Sequence, residues 1–366
     1  MIQMDTLPDS SPKPPQRVSL VDLTASSLRE ALAAGHWQGS LPGERELRAR
    51  LGVSRQTLRG ALALLEQEGL VQTSSRRRRT LEGPAKKAKE SGSRVVAAVT
   101  GWPLATMSPN SLLLIDELRE KLAQAGFHLE VHVSPASFTA RPSRALEALT
   151  SRSTAAVWLL LGALKPPQEW FRQRGIPCLV LGSSGPESGL PSVDADHRAA
   201  CRHAGGQLRK RGHRSIALIR PELDFGGDVE SEEGLREGLG RDSADAAFLH
   251  VLKHDGSRDK ICLLLDAALK SRRPPTACVV ARAAHVLTVL THLLRRGLRV
   301  PEDMAVIARD DEPFLSQLVP EITRYVTNGR QFAGMVSKAV RQLAEGGTLP
   351  IRAVRLMPEY LRGGSL

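Results

Sequence analysis

The 366-residue sequence is poor in cysteine and in aromatic residues, which make up 4% of it. Its four cysteines form no CxxC pair and no Cys/His pair at the spacing of metal ligands, so we expect neither a metal site nor a disulfide framework. Three of them lie in apolar runs, where a free thiol behaves as a small hydrophobic side chain, and this usage fits a reduced cytosol. The four are Cys178, Cys201, Cys262 and Cys278.

A secretion signal, a membrane span and the common enzyme motifs are also missing. Residues 1–17 are polar and rich in proline, without the apolar core of a signal peptide. No stretch reaches about 18 consecutive apolar residues, the length of a membrane-spanning helix. The sequence has no GxGxxG after a predicted strand, no Walker A loop, no HExxH and no GxSxG. We therefore expect a cytoplasmic protein that needs no cofactor, has no membrane partner and is not an enzyme.

The chain is strongly basic, with a formal net charge of +12 at pH 7. A positive field of this size attracts polyanions, either nucleic acid or an anionic membrane surface. An arginine-rich surface without any partner gives the same count, so charge alone does not choose between these possibilities.

Composition divides the chain into four segments. Residues 1–18 are rich in proline and poor in apolar residues, which predicts a disordered tail. Residues 19–82 carry short helical patterns and a basic hairpin, residues 83–93 form a polar linker, and residues 94–366 alternate apolar runs with amphipathic helices. A chain of this length is too long for one compact core, so we expect two or three folding units.

The segment 19–82 predicts three helices and a hairpin. Apolar residues at helical spacing indicate helices over 20–32 and 44–50, a tight turn follows at 51–53, and the Ser54 hydroxyl can cap a third helix. The apolar face of that helix consists of Leu58, Ala61, Leu62 and Leu65. The polar residues off this face cluster at the N-terminal end, where a recognition helix holds the side chains that enter the major groove. They are Arg55, Gln56, Thr57 and Arg59.

The predicted hairpin has a strongly basic tip, formed by Arg76, Arg77, Arg78 and Arg79. Four adjacent guanidinium groups repel one another unless an anion compensates them, which suits a wing lying against phosphates or in the minor groove. A solvated turn is the alternative interpretation.

The motifs LPGEREL at 41–47, LGVSRQTLR at 51–59 and LEQEGLV at 65–71 resemble the GntR-family winged helix. This resemblance implies a small winged helix-turn-helix domain that binds double-stranded operator DNA through the wing and through Arg45, Ser54, Arg55, Thr57 and Arg59. The family's wing has a small glycine-rich tip. The bulkier and more cationic tip of this chain departs from that pattern and predicts a greater affinity for phosphate.

The segment 94–366 alternates predicted strands with predicted helices, which indicates a doubly wound parallel α/β fold. Two successive series of such units suggest two lobes, with a ligand cleft outside the carboxyl ends of the strands. The predicted strands cover 95–99, 129–133, 155–161, 178–181, 216–219, 246–249, 277–281 and 304–308. The predicted helices cover 112–125, 143–150, 167–174, 232–238, 258–270 and 284–296.

The motifs VDADHRAA at 193–200, GHRSIALI at 212–219, PTA at 275–277 and GLRVPEDMAVIARDDEP at 297–313 resemble the LacI-type effector-binding domain. The resemblance implies a two-lobed fold of the periplasmic-binding-protein-like type I, a small-molecule effector between the lobes, and a homodimer. A GntR-type reader joined to a LacI-type sensor is the combination found in arabinose-responsive repressors.

The same resemblance points to effector contacts. Ser231 stands where the family usually holds an arginine, Arg282 stands in its Asn-Asp pair, and Asp310 matches its ligand-contacting aspartate. Asp310 either anchors a polar ligand or stabilises the lobe. Arg282 and Arg309 either grip an anionic effector, such as a sugar phosphate, or pair with acidic residues of the protein.

Three further effector candidates follow predicted strands. Trp102 either stacks on a ligand or packs within a lobe, and Asp224 and Phe225 follow the strand that ends at 219. Asp310 and Asp311 also resemble the paired carboxylates of an enzyme, but adjacent residues at a strand end point in opposite directions.

These expectations define one function and two alternatives. We expect a sequence-specific transcription regulator, a repressor, that binds DNA as a homodimer and responds to a small carbohydrate-like or anionic effector. The first alternative is a ligand-independent DNA-binding regulator whose sensor domain only dimerises. The second is an enzyme acting on a sugar derivative.

Overall fold

The computed structural model divides into two units, residues 1–91 and 92–366. It describes residues 19–33, 41–67, 71–73, 79–81, 93–162, 164–184, 188–240, 246–346, 349 and 352–366. The predicted tail over 1–18, all but the last residue of the predicted linker, and the wing residues Arg76, Arg77 and Arg78 lie outside the described residues.

The first unit contains three helices and a two-stranded antiparallel ribbon, as the sequence predicts. Its elements are α1 (Leu20–Ala33), α2 (Glu44–Leu51), α3 (Arg55–Gln67), β1 (Val71–Thr73) and β2 (Arg79–Leu81). The predicted apolar face of α3 is fully buried and forms the centre of a core cluster. That cluster consists of Ala25, Leu28, Leu41, Leu47, Leu58, Ala61, Leu62, Leu65 and Val71.

A short turn sets the angle between α2 and α3. Gly52 ends α2 in the left-handed conformation, with φ of +64°, which favours glycine because a side chain there is strained. Its N–H donates to the carbonyl of Arg48 at 2.9 Å. On the other side of α3, a Cβ added at Gly60 would lie 3.0 Å from Val21 Cγ1, so the glycine permits the close approach of α1. The first contact ends α2, and the second lets α1 pack closely against α3.

The second unit consists of two lobes, each built on a six-stranded sheet. The first lobe has an all-parallel sheet in the order β13-β7-β6-β5-β3-β4. Its strands are β3 (Val95–Thr100), β4 (His128–Val133), β5 (Val157–Leu161), β6 (Cys178–Leu181), β7 (Ser192–Ala195) and β13 (Ala353–Leu356). Its helices are α4 (Pro109–Gln124), α5 (Ser143–Thr150), α6 (Lys165–Gln173) and α11 (Gly329–Ala344).

The second lobe repeats this plan in the order β14-β12-β11-β10-β8-β9, and only β14 is antiparallel to its neighbour. Its strands are β8 (Ser215–Pro221), β9 (Phe248–His254), β10 (Ala277–Val280), β11 (Ala305–Ala308), β12 (Thr323–Val326) and β14 (Glu359–Leu361). Its helices are α7 (His197–Lys210), α8 (Gly226–Gly238), α9 (Arg258–Leu269) and α10 (Ala283–Arg295). The central strands of both lobes are buried along their length, as helix-covered parallel strands must be.

The doubly wound two-lobed fold predicted from the sequence is confirmed. The chain crosses between the lobes three times, after β7, after β12 and after β13. Within the described part of the chain, no helix combines the length and the apolar character needed to cross a membrane.

Candidate nucleic-acid interface and effector cleft

The N-terminal end of α3 presents a polar, cationic surface. Arg55, Gln56 and Arg59 are exposed there, and Arg45 is exposed on α2. Thr57 is half-buried, because its hydroxyl lies 2.8 Å from that of Ser54. The structure therefore brings together all the described side chains that the sequence assigns to DNA contact.

Ser54 caps α3, as its position before the helix predicts. Its Oγ accepts the backbone N–H of Thr57 at 3.1 Å, which satisfies one of the amides that the first turn of a helix leaves free. The cap fixes where the helix begins and therefore how far Arg55 and Arg59 project.

Glu44 is a member of this surface that sequence reasoning missed. Its Oε2 lies 3.3 Å from Arg59 Nε and 3.7 Å from Arg55 Nε, so one carboxylate on α2 pairs with both arginines of α3. Both guanidinium groups remain more than half exposed. The signal in the sequence was an acidic residue at the start of α2, but the contact depends on the angle between the two helices.

The wing is described only at its strands. Val71, Gln72 and Thr73 pair with Leu81, Thr80 and Arg79, respectively. Arg79 is thus the first residue of the return strand, and not part of the hairpin tip to which the sequence assigned it.

A cavity of about 940 Å³ lies in the cleft between the two lobes of the second unit. Five of its lining residues lie one or two residues beyond the ends of five parallel strands, at the edge where the carboxyl ends of the sheets meet. They are Trp102, Gly162, Gly182, Arg282 and Asp310. The expectation that cleft residues come just after strands is thus met.

A group of four charged residues lies on the second-lobe side of the cleft, where Arg282 and Asp310 line the cavity and Asp228 and Arg309 are buried behind them. Asp228 is fully buried and accepts from Arg309 Nη1 at 2.7 Å and from Arg282 Nη2 at 2.8 Å. Asp310 accepts two hydrogen bonds from Arg309, at 2.9 and 3.0 Å. Two guanidinium groups thus face two carboxylates. Arg282 and Arg309 are therefore paired with carboxylates of the protein and are not two free cations.

Electrostatics keep Asp310 and Arg309 ionised. Burial disfavours the charged form of Asp310, but the guanidinium of Arg309 outweighs burial and holds the pKa of Asp310 at about 2. Burial likewise disfavours the charge of Arg309, and the carboxylates of Asp310 and Asp228 overcome it and raise the pKa of Arg309. Burial, together with the charge of Arg309, lowers the pKa of Arg282. Of these two arginines, Arg282 lines the cavity.

Three predicted effector residues lie elsewhere. Ser231 is fully buried, where it accepts from Arg309 Nη1 at 3.0 Å, and it does not line the cavity. Asp224 is exposed and pairs with Arg220 at 3.0 Å. Phe225 lies with its ring centroid 6.2 Å from that of Trp102 but is not part of the cavity wall. Asp224 and Phe225 were named because they follow a predicted strand, and the resemblance named Ser231 by its sequence position. Helix α8 begins at Gly226 and turns Ser231 into the lobe.

Direct contacts join the lobes on both sides of the cavity. Asn110 Nδ2 donates to the carbonyl of Asp311 at 2.6 Å, and Ser183 Oγ donates to Glu230 Oε2 at 2.9 Å. A Cβ at Gly226 would lie 2.7 Å from the carbonyl oxygen of Ser183, so the lobes approach backbone to backbone there. Asp311 pairs with Arg324 at 2.7 Å, whereas Asp310 pairs with Arg309. The two neighbouring carboxylates therefore diverge, as expected for adjacent residues.

The fold and these two surfaces define a two-lobed, periplasmic-binding-protein-like sensor preceded by a helix-turn-helix unit. Residues 21–80 match the family described as bacterial regulatory proteins, gntR family, and residues 206–366 match the periplasmic binding protein-like domain. The chain thus joins a gntR-type helix-turn-helix domain to a sensor domain of the LacI type.

Individual proteins give the same picture. The HTH-type transcriptional regulator AglR of Rhizobium meliloti is 28% identical over 212 residues, which cover 56% of this chain and 57% of AglR. A regulatory protein of the LacI family from Chloroflexus aggregans has a similar structure, with a TM-score of 0.65, 17% identity, and coverage of 74% of this chain and 98% of that one. A LacI family transcriptional regulator from Enterococcus faecium with bound ribose gives a TM-score of 0.60 at 18% identity, covering 74% and 98%.

The match to curated relatives is partial. The chain spans about half the length of the first curated relatives that it matches, between 46% and 48% of each. The structural neighbours extend the likeness over the whole second unit, but at these identities they establish the fold alone.

Proposed function

We propose that this protein is a sequence-specific DNA-binding transcription regulator that acts as a repressor. The observation that carries the proposal is the exposed cationic end of α3, with Arg55 and Arg59, on a domain of the gntR type. Blocking a promoter requires no contact beyond DNA binding, which favours repression over activation.

Base and phosphate contacts divide among the surface residues. The α3 end, with Arg55, Gln56 and Arg59, reads base edges in the major groove, because the first turns of a recognition helix enter it. The remaining DNA-contacting residues are Arg45, Ser54, Thr57, Arg76, Arg77, Arg78 and Arg79. The cationic wing contributes phosphate contacts, which fix the register without reading sequence.

Glu44 orients the two arginines of α3. Its carboxylate holds the Nε side of Arg55 and Arg59 and leaves most of each guanidinium exposed. A guanidinium held in this way loses less conformational entropy when it meets a guanine edge, which it contacts in a bidentate manner.

Effector control resides in the second unit. We infer that a homodimer places two readers on a pseudo-palindromic operator, and that a small molecule in the cleft, contacted by Trp102, Arg282 and Asp310, shifts the balance between lobe arrangements. A carbohydrate-like effector is supported by the ribose bound in the Enterococcus faecium regulator. An anionic effector has less support, since Arg282 and Arg309 are already paired with Asp228 and Asp310.

The ligand-independent alternative predicts that no small molecule stabilises the second unit. The enzyme alternative requires carboxylates that converge on one substrate, and the divergence of Asp310 and Asp311 gives it no support.

The test is selection of binding sites from random duplex DNA by the full-length protein. A regulator of this kind enriches a site with two-fold symmetry and half-sites separated by about one or more helical turns. Failure to enrich any sequence over the starting pool would refute the proposal. Enrichment of an unpaired half-site would refute only the homodimer.

A further inference from the structure

One buried carboxylate of the cleft is not compensated by any cation of the described residues. Glu312 lines the cavity and is only 6% exposed. Its Oε2 accepts the backbone N–H of Asn110 at a long 3.4 Å, and among the described residues it has no ion pair. A carboxylate removed from water costs free energy unless a donor or a cation replaces the lost hydration.

The other carboxylates of the cavity wall are engaged within the protein. Asp310 pairs with Arg309, Asp311 pairs with Arg324, Asp194 accepts the backbone N–H of Ala195 at 2.8 Å, and Glu117 lies 3.4 Å from Arg330. Even so, Oε2 of Glu117 is buried without a donor among the described residues. The wall therefore carries an excess of negative charge, and Glu312 is where that charge is unpaired.

Most of the remaining wall is apolar. Five side chains from the first lobe supply much of it, and two of them, Trp102 and Leu113, are about half exposed. The five are Trp102, Met107, Leu113, Leu114 and Phe332. Polar side chains also line this side, among them Ser108, Asn110 and Ser111, but these three hydrogen bond within the protein. A hydroxyl-rich ligand would compete with those bonds, whereas an apolar body would gain from leaving water.

We propose that the effector carries a primary or secondary ammonium group, held by the carboxylate of Glu312, on a largely apolar frame. This inference rests on the proposed function of the cleft as the effector site, and it replaces the carbohydrate-like effector with an amine. An ammonium group supplies donors and a full positive charge, which is what a buried, unpaired carboxylate requires. An anion would instead meet the uncompensated Glu312 in a cavity whose arginines are already paired.

The experiment measures binding to full-length protein, in the absence of DNA, by calorimetry and thermal shift with two matched triads. The first triad is 2-phenylethylamine, 2-phenylethanol and phenylacetate, and the second is glucosamine, glucose and glucuronate. Within the first triad the frame changes little, while the terminal group is cationic, neutral or anionic. The second triad repeats the change of charge on a sugar frame, at C2 in glucosamine and at C6 in glucuronate. We expect the phenylethylamine to bind most tightly, and each amine to bind more tightly than its two counterparts.

Two substitutions locate the effect. Glu312→Gln keeps the shape and removes the charge, so it should weaken amine binding by about tenfold or more and leave 2-phenylethanol binding unchanged. Glu302→Gln makes the same chemical change at an exposed position outside the cavity and should alter neither. Because an unpaired charge is removed, the ligand-free Glu312→Gln protein should melt no lower than the wild type, which also verifies its folding.

The outcomes separate clearly. Equal or tighter binding of the neutral or anionic members, no binding of either amine, or unchanged amine affinity in Glu312→Gln would each overturn the inference. Preference for glucosamine over phenylethylamine would support ammonium recognition and overturn the apolar frame. Operator binding is measured separately without ligand, so a chain that binds an operator but no amine refutes only this inference, and one that binds amines but no operator refutes the proposed function.

Discussion

Asp228→Ala removes the carboxylate that lies between two guanidinium groups at the wall of the cleft. Asp228 is fully buried, Arg309 is 3% exposed, and their atoms are 2.7 Å apart. Removing one partner of a buried ion pair costs about 3–5 kcal/mol, because the other charge remains buried without compensation. In the variant Arg309 remains paired with Asp310, and Arg282 remains partly exposed to solvent. We therefore expect the lower part of that range, about 3 kcal/mol.

The assay is urea unfolding followed by tryptophan fluorescence. Three of the four tryptophans, Trp102, Trp158 and Trp170, lie in the second unit, so the signal reports mainly on that unit. A loss of about 3 kcal/mol also corresponds to a fall in melting temperature of roughly 10 °C. Asp259→Ala is the matched control, since it removes an aspartate whose pairing with Arg258 is exposed to solvent and should change stability little.

The reasoning about the buried charges is refuted if Asp228→Ala unfolds at the same urea concentration as Asp259→Ala. Such a result would mean that the cleft wall does not depend on mutual charge compensation. It would also remove the reason to regard Arg282 as unavailable to an anionic ligand.

Two other predictions concern the cap of α3 and the response to pH. Ser54→Ala removes the 3.1 Å bond from the Thr57 amide and should lower the stability of the first unit by about 1 kcal/mol in a circular dichroism melt. Ser54→Asp retains an acceptor and should keep the stability of the wild type. Equal melts of the two variants would contradict the capping role. Burial, with a contribution from His285, lowers the pKa of His254 from its usual 6.5 to about 4. Between these pH values the unfolded chain binds a proton at His254, whereas the folded chain does not. Stability should therefore fall as pH decreases from about 6.5 to 4, by at most about 3 kcal/mol from this residue, and His254→Gln should flatten the decline; an unchanged slope would show that His254 does not titrate in this way.

Local sequence signals were sufficient for much of the fold. The apolar face of α3 repeats at helical spacing, and the buried strands β5, β6, β10 and β11 are continuous apolar runs, so their burial could be predicted. The predicted boundaries moved where the ends are polar. Helix α8 begins six residues before the predicted start at 232, because its first two turns, GGDVES, carry little apolar content. Strand β9 runs over Phe248–His254, beyond the predicted end at 249.

The segments that cross between the lobes escaped prediction. Strands β7, β12, β13 and β14 are three or four residues long and mix polar with apolar side chains, so they give weak periodicity. Helix α7 contains the pair Gly205 and Gly206, which lowers helix propensity. A Cβ at Gly205 would lie 3.0 Å from the backbone of α8, so packing against that helix explains a glycine which local propensity disfavours.

The cleft was predictable in position but not in charge balance. Arg282 and Asp310 could be found because they stand at effector-contact positions of the family that the sequence resembles, yet Asp228 comes from α8 and its role depends on three elements meeting in space. Glu312 gave no signal, since nothing in the sequence distinguishes a buried carboxylate from the exposed ones around it. The DNA surface was more accessible to prediction because its residues are contiguous along α2 and α3.

The most direct test of the central claim, that the cationic end of α3 reads DNA sequence, is a gel-shift titration on the selected duplex at moderate salt with bulk competitor DNA. Wild-type protein should prefer the duplex, and Arg55→Ala and Arg59→Ala should each weaken binding by about 1–3 kcal/mol, while Arg258→Ala, an exposed arginine of the second unit, should not. Equal affinity of wild type and both α3 variants, or no preference for the duplex over competitor, would contradict the account.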